Sequence, residues 1–308
     1  MLGSSLASVV RRVRIQLGYV VRATGVMLMD PVAGVERVRA RLDRRNDARA
    51  FRATGLAFEQ LYSVDPDWLE HLHEAMGWTW PCPAAADAER LRAEVIATFR
   101  AQGLPETYHN WCDGGTAFTK AAYCLTVHLK PETVVETGVA RGVTSRSILE
   151  ALEHNGSGRL WSVDLPAVDS RYHSQIAIAV PEAMRSEWTV RSGTSRRQLP
   201  RLLQELGAID LFVHDSQHTG RNTSFEIDHA WRALRPGGGL LVDDVYQSLA
   251  FRTFVHSTPL RWSCVGANED GSYPFGIAIA EGDLGDALKA RLPAASAVGA
   301  GAGIGARL

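Results

Sequence analysis

Lysine is almost missing from this chain of 308 residues. Lys120, Lys130 and Lys289 are the only three, and arginine carries the rest of the basic charge. Beside so much alanine, that scarcity reads as codon bias rather than as a functional signal. Cysteine is scarce as well. Cys82, Cys112, Cys124 and Cys264 share no CxxC spacing and are too few for a disulfide scaffold, so they read as reduced structural thiols. Long apolar runs are lacking too. Residues 17–29 come nearest, but Arg22 interrupts them, and a spanning helix needs about 20 apolar residues in a row. A signal peptide needs an unbroken apolar stretch behind its basic start, whereas Arg11, Arg12, Arg14 and Arg22 punctuate this one. A cytoplasmic protein with no transmembrane segment is expected. Net charge is the last thing in short supply: −1, from 33 basic and 34 acidic side chains. A nucleic-acid binder needs a basic footprint to displace counterions from phosphates, so nucleic acid is not an expected partner.

What is present is an ordinary soluble composition, 45% hydrophobic and 22% charged. The length suits one large domain, or one domain with a helical appendage. The neutrality is an average. Residues 1–50 hold ten arginines against Asp30, Glu36, Asp43 and Asp47, and the remainder is correspondingly acidic. Residues 35–50 have helical periodicity, with Val35, Val38 and Leu42 on one face and arginines elsewhere. Such a helix either packs on its own protein or docks on a partner or an anionic membrane; homo-oligomerisation through the N-terminal helices is one such docking. Further helices are expected at 67–76 and 84–102, separated by Trp78, Trp80, Pro81 and Pro83. Residues 1–104 therefore read as a helical extension or cap.

From about residue 131 the texture changes to short Val/Leu/Ile runs alternating with helical stretches. Strands are expected at 133–137, 159–163, 187–191, 209–213 and 239–242, with helices at 145–154, 196–206 and 221–234 between them. That alternation is the pattern of βαβ units around a parallel sheet. Two more strands, 261–266 and 273–280, flank the turn residues Asn268-Glu-Asp-Gly271 and should pair as an antiparallel hairpin at an edge. An α/β domain over 105–283 follows, with 284–308 a C-terminal helix remnant and an Ala/Gly-rich disordered tail.

The first strand runs into Glu136-Thr-Gly-Val-Ala-Arg-Gly-Val-Thr-Ser145. Small residues at such a turn let backbone approach a ligand, and the helix that follows presents its positive end. A dinucleotide fingerprint G-x-G-x-x-G anchored on Gly138 would put glycine where Ala140 and Val143 stand. Asp164 ends the second strand, where an acid can accept hydrogen bonds from ribose hydroxyls. These residues, with Ser192-Gly-Thr-Ser195, His214-Asp-Ser-Gln-His-Thr219, Leu234-Arg-Pro-Gly-Gly238 and Asp243-Asp244, resemble a class I S-adenosylmethionine (SAM) dependent methyltransferase. Within that superfamily the chain looks like the macrocin O-methyltransferase branch of metal-dependent natural-product enzymes. The resemblance implies a Rossmann-like, seven-stranded, mostly parallel sheet with an antiparallel last strand. It also implies cofactor contacts from Glu136, Gly138, Ala140, Gly142, Ser145, Asp164 and Asp215, and from Gly193 and Ser195 near the adenine.

In open α/β sheets, ligands bind beyond the carboxyl ends of the parallel strands. Asp215 and His218 follow the fourth strand there, and Asp243 and Asp244 end the fifth. Three converging carboxylates repel one another unless a cation sits among them, and hard oxygen donors suit Mg²⁺. The resemblance places the metal site on Asp215, Asp243 and Asp244. His218 is the candidate base that removes a proton from a metal-held hydroxyl, although some relatives place an acid where this chain has Gln217. His109, Trp111 and Asp113 are candidates for a lid, and Trp78, Trp80 and Tyr246 for the wall of an acceptor pocket. The expected activity is methyl transfer from SAM to a hydroxyl of a small molecule such as a sugar or phenol. A non-catalytic SAM-binding protein and an NAD(P)-dependent oxidoreductase are the alternatives, the latter opposed by the missing glycines.

Overall fold

The computed structural model describes residues 27–28, 30–105 and 115–282, and the backbone alone at 107–108 and 111–112. The expected C-terminal tail and the side chains of His109, Trp111 and Asp113 lie outside the described residues. Seven strands form one sheet: β1 (Thr133–Thr137), β2 (Arg159–Asp164), β3 (Trp188–Ser192), β4 (Ile209–His214), β5 (Leu234–Val242), β6 (Trp262–Gly266) and β7 (Phe275–Ile279). Their spatial order is β3-β2-β1-β4-β5-β7-β6. The first five run parallel, and β7 enters antiparallel between β5 and β6. This is the Rossmann-like architecture that the motif resemblance implies. The hairpin expected after residue 260 is present at one edge of the sheet, its second strand β7 pairing with β5 and its first strand β6 outermost.

The helices are α1 (Pro31–Ala53), α2 (Trp68–Met76), α3 (Ala85–Ala101), α4 (Thr116–Leu129), α5 (Val143–Asn155), α6 (Ser195–Leu206), α7 (Gly220–Ala233) and α8 (Ala250–Ser257). Strands buried on both faces read as continuous apolar runs, and successive side chains go to opposite layers. Val134, Leu160, Leu211, Leu241 and Ile277 face α4 and α5, while their neighbours Val135, Phe212, Leu240 and Ala278 face α6, α7 and α8. A third apolar cluster packs α3 on α4 and α5 through Leu91, Val95, Phe99, Tyr123 and Val127. Among the described residues no helix is long and apolar enough to cross a membrane.

Helix α1 begins where its composition says it should. Asp30 caps it by accepting from the Ala33 amide at 3.0 Å, and Pro31 takes the first position, where no amide is needed. Its orientation is a finding that the apolar pattern did not foretell. Val35, Val38 and Leu42 point to solvent, and Leu42 is 52% exposed. The polar face makes the contact instead. Glu36 and Asp43 pair with Arg221 at 2.7 and 2.8 Å, Glu36 also meets Arg196 at 3.4 Å, and Asp47 accepts from the Gly220 amide at 3.0 Å. Arg37 donates to the Pro166 carbonyl at 2.6 Å. The helix thus straps across the starts of α6 and α7 and the loop after β2, along the carboxyl edge of the sheet.

Strand β5 starts five residues before the expected point: Leu234 already pairs with Ile209, and the ladder shifts register across a bulge before Gly239 pairs with Leu211. Arg235 is the reason. Its guanidinium is ion-paired with Asp210, which is fully buried and also accepts from the Glu132 and Thr133 amides at 2.9 and 2.8 Å. That carboxylate therefore ties the starts of β1, β4 and β5 together. Removing one partner of a buried pair strands the other charge, so Arg235→Ala should lower the unfolding free energy by about 3 kcal/mol. Urea unfolding with an unchanged m-value checks this, and a loss below about 1 kcal/mol would put the pair with surface ion pairs.

Candidate active site

Strand order reverses between β1 and β4, and in open α/β sheets such a switch point is where ligands bind, in the crevice beyond the strand ends. Backbone bonds draw those ends together. Gly138 N–H donates to Val163 O at 2.8 Å, Asp215 N–H to Thr137 O at 2.8 Å, Asp243 N–H to His214 O at 2.9 Å, and Gly193 N–H to Asp164 O at 2.8 Å. Gly138 stands at φ 88°, and a Cβ added to it would lie 1.9 Å from the Asp215 carbonyl oxygen. No other residue fits that approach. Ala140 and Gly142 also have positive φ, 47° and 82°, and Gly142 leads directly into α5.

Glu136 is fully buried and accepts from Ser145 Oγ and Ser162 Oγ, each at 2.7 Å, with Trp188 Nε1 donating to Ser162 at 2.8 Å. Burial pushes the Glu136 carboxyl up to about 7 against the pull of the two hydroxyls, and its Oε1 has no partner. Ser145 is therefore spent on holding Glu136 and faces away from the crevice. Asp164 accepts from the Val139 amide at 3.0 Å and from that of Ala140, which bends the glycine loop over the end of β2. Gly193 follows β3 with φ 138°, and Ser195 Oγ donates to Asn222 Oδ1 at 3.3 Å.

Beyond β4 and β5 the acids converge. Donor atoms of Asp215, His218 and Asp243 lie within 4.8 Å of one another. Asp215 and Asp243 are hydrogen-bonded through their side chains, and Thr144 donates to Asp215 at 3.1 Å. Burial, then neighbouring carboxylates, push both acids well above the usual carboxylate range. Two carboxyls in that contact must share a proton unless a cation replaces it. Asp243 Oδ1 is buried without a partner. Asp244, at φ 51°, is turned toward Gln247 and Tyr246, with His218 Nε2 3.7 Å from its Oδ2. Burial, then the nearby His214 ring, lowers the His218 pKa to about 3. Of the expected pocket residues, Tyr246 borders this cluster, whereas Trp78 and Trp80 pack around His73 and His128.

Residues 135–245, which contain this loop and both acid-bearing strand ends, match a family model described as a methyltransferase domain. No curated protein matches the chain. Among solved structures it is similar to the Streptomyces achromogenes O-methyltransferase involved in tomaymycin synthesis, in complex with SAM. Identity is 15%, covering 62% of this chain and 90% of that one, with a TM-score of 0.48. It is likewise similar to a Bacillus cereus O-methyltransferase in complex with SAH, at 15% identity, covering 67% and 100%, with a TM-score of 0.48.

One member of this site was not expected. Glu226, fully buried in α7, gathers His214 Nδ1 at 2.6 Å, Ser216 Oγ at 2.8 Å, Asn222 Nδ2 at 2.8 Å and the Thr137 hydroxyl. It joins the ends of β1 and β4 to α7 and so shapes the loop that carries Asp215 and His218. The only sequence signal is the Asn222/Glu226 pair, one turn apart on one helix face. Burial opposes the charge, but the His214 ring and the donors around it hold the Glu226 carboxyl down to about 2, against an ordinary value of 4.5.

A lowered carboxyl pKa stabilises the folded chain fully above pH 4.5, and the benefit is lost as pH falls toward 2. Glu226→Gln should therefore cost about 3 kcal/mol at pH 7, with the gap from the unsubstituted chain closing as the pH is lowered below about 4.5. Unfolding free energies across that range check this, and a gap independent of pH would show that the charge is not what matters.

Proposed function

We propose that the chain is a SAM-dependent O-methyltransferase that moves a methyl group to a hydroxyl of a small molecule, with a divalent cation, Mg²⁺, assisting. The observation that carries this is the coincidence, within a segment matching a methyltransferase domain, of a glycine cradle at the switch point with a cluster of acids at the next two strand ends. The donor set fits a cation. Asp215 and Asp243 need a positive charge or a shared proton between them, and Asp243 Oδ1 has nothing else to bind. The cradle fits a cationic cofactor as well, since Glu136 offers an unpartnered buried oxygen and Asp164 guards the loop. When bound, SAM supplies the activated methyl group, and the cation holds and acidifies the acceptor hydroxyl.

The protein's own contribution is placement. Gly138, Ala140 and Gly142 let the loop backbone bend close to the cofactor, Asp164 is the ribose acceptor, and Gly193 and Ser195 lie on the adenine side. Asp215 and Asp243 hold the cation, while Asp244 is turned toward Gln247 and faces the His218 ring. The His218 ring is uncharged at neutral pH and stands beside both Asp215 and Asp244, where it takes the acceptor's proton as the oxygen attacks.

Calorimetric titration should show SAM binding, weakened at least about tenfold, or about 1.4 kcal/mol, in Asp164→Ala; tight NAD binding instead would overturn the reading. Methyl transfer to a panel of sugar and phenol hydroxyls should fall on chelation and recover with Mg²⁺. If chelation changes nothing, the metal role fails while methyl transfer stands. His218→Ala should keep its bound metal and lose about 10²–10⁴-fold in kcat; loss of the metal would make His218 a ligand rather than the base.

A further inference from the structure

Where the helical cap meets the sheet domain, four side chains with metal-binding chemistry come together far from the acids. His73 lies in α2, Cys82 in the segment before α3, and Cys124 and His128 one turn apart on α4. Residues four apart on a helix share a face. His73, Cys82 and Cys124 are buried, and His128 is partly so. Donor atoms of His73, Cys82 and His128 lie within 4.8 Å of one another. Cys82 Sγ is 3.4 Å from His128 Nε2 and 3.5 Å from Cys124 Sγ.

The His73 ring decides the matter. Its Nδ1 is 2.7 Å from the Thr79 carbonyl, a contact that requires the proton on Nδ1 and leaves the lone pair on Nε2. Nε2 is buried and has no hydrogen-bond partner. A backbone carbonyl on one ring nitrogen, with the other bare and aimed at thiols, is how metal-ligating histidines are oriented. Trp78 stacks on His128 at 4.9 Å between centroids, and Trp78 and Trp80 each stand edge-on to His73 at 5.5 Å, walling the cluster with aromatic rings.

We propose that His73, Cys82, Cys124 and His128 bind one structural zinc ion, which pins α2 and the Trp78–Pro83 segment to α4. Two imidazoles and two thiols with no carboxylate select zinc over Mg²⁺ or Ca²⁺. On binding, the thiols release their protons to solvent, and two thiolates neutralise the ion. The ion sits among cap residues and takes no part in methyl transfer, so the proposal stands apart from the function proposed above.

The test is metal analysis of the full chain, purified from zinc-supplemented culture without chelator. One zinc per chain is expected, falling to about background in Cys82→Ala and His128→Ala and staying in Asp243→Asn. Replacement by cobalt(II) should give a thiolate-to-cobalt charge-transfer band that Cys82→Ala abolishes. That band on the unsubstituted chain decides the question even if the variants fold poorly. Three results would each overturn the proposal: a chain that takes neither metal, zinc retained in both cap variants, and a thiol assay showing Cys82 and Cys124 joined as a disulfide.

Discussion

The approach of β1 to β4 at their carboxyl ends is the constraint on which the rest depends. The backbone of Gly138 lies against the Asp215 carbonyl so closely that a Cβ would come within 1.9 Å of it. With the two ends in contact, the Asp215 amide can reach the Thr137 carbonyl and the Asp243 amide the His214 carbonyl, and the acids of β4 and β5 arrive at one place. Glu226 holds the same junction from the side by bonding groups at the ends of both strands. Four carboxyls are brought near each other as a result, two of them pushed far from their ordinary ionisation. Such electrostatic cost is tolerated where chemistry needs it.

The cap is held by different physics. Helix α1 lies across the carboxyl edge through carboxylates paired with Arg196 and Arg221 and through one backbone amide, and it turns an apolar stripe outward. Helix α3 is held by apolar packing on α4 and α5. Arg141 links the glycine loop to this cap. It is buried, donates to Gln175 Oε1 and the Pro105 carbonyl, and lies 5.2 Å from the Phe99 ring. A change in the cap is therefore felt at the glycine loop after β1.

Much of the sheet was legible because its strands are short apolar runs bounded by glycine, proline and acids, and apart from the start of β5 their ends fell within a residue or two of expectation. Helix α8 was not assigned, since eight residues with Phe251 and Phe254 inward offer too short a period to stand out. The start of β5 was placed late because Arg-Pro-Gly-Gly interrupts the apolar run, and only the pairing of Leu234 with Ile209 and of Arg235 with the buried Asp210 carries the strand back across the bulge. The apolar stripe of α1 was visible, but its direction was not. Periodicity reports that a face exists and says nothing of what lies against it.

The glycine loop and the strand-end acids were readable one at a time, because each sits beside an element whose end the local sequence announces. Their company was not. Sequence alone determined the alternation of strands and helices, the glycines where backbone must approach, and the identity of the acids at the strand ends. Tertiary structure alone decided that Asp244 turns aside while His218 joins Asp215 and Asp243, that Ser145 serves Glu136, and that His73, Cys82, Cys124 and His128 meet. The reason is physical. Local sequence sets backbone preference and side-chain period, but distances between residues far apart in the chain are set by packing of whole elements, which no single segment encodes.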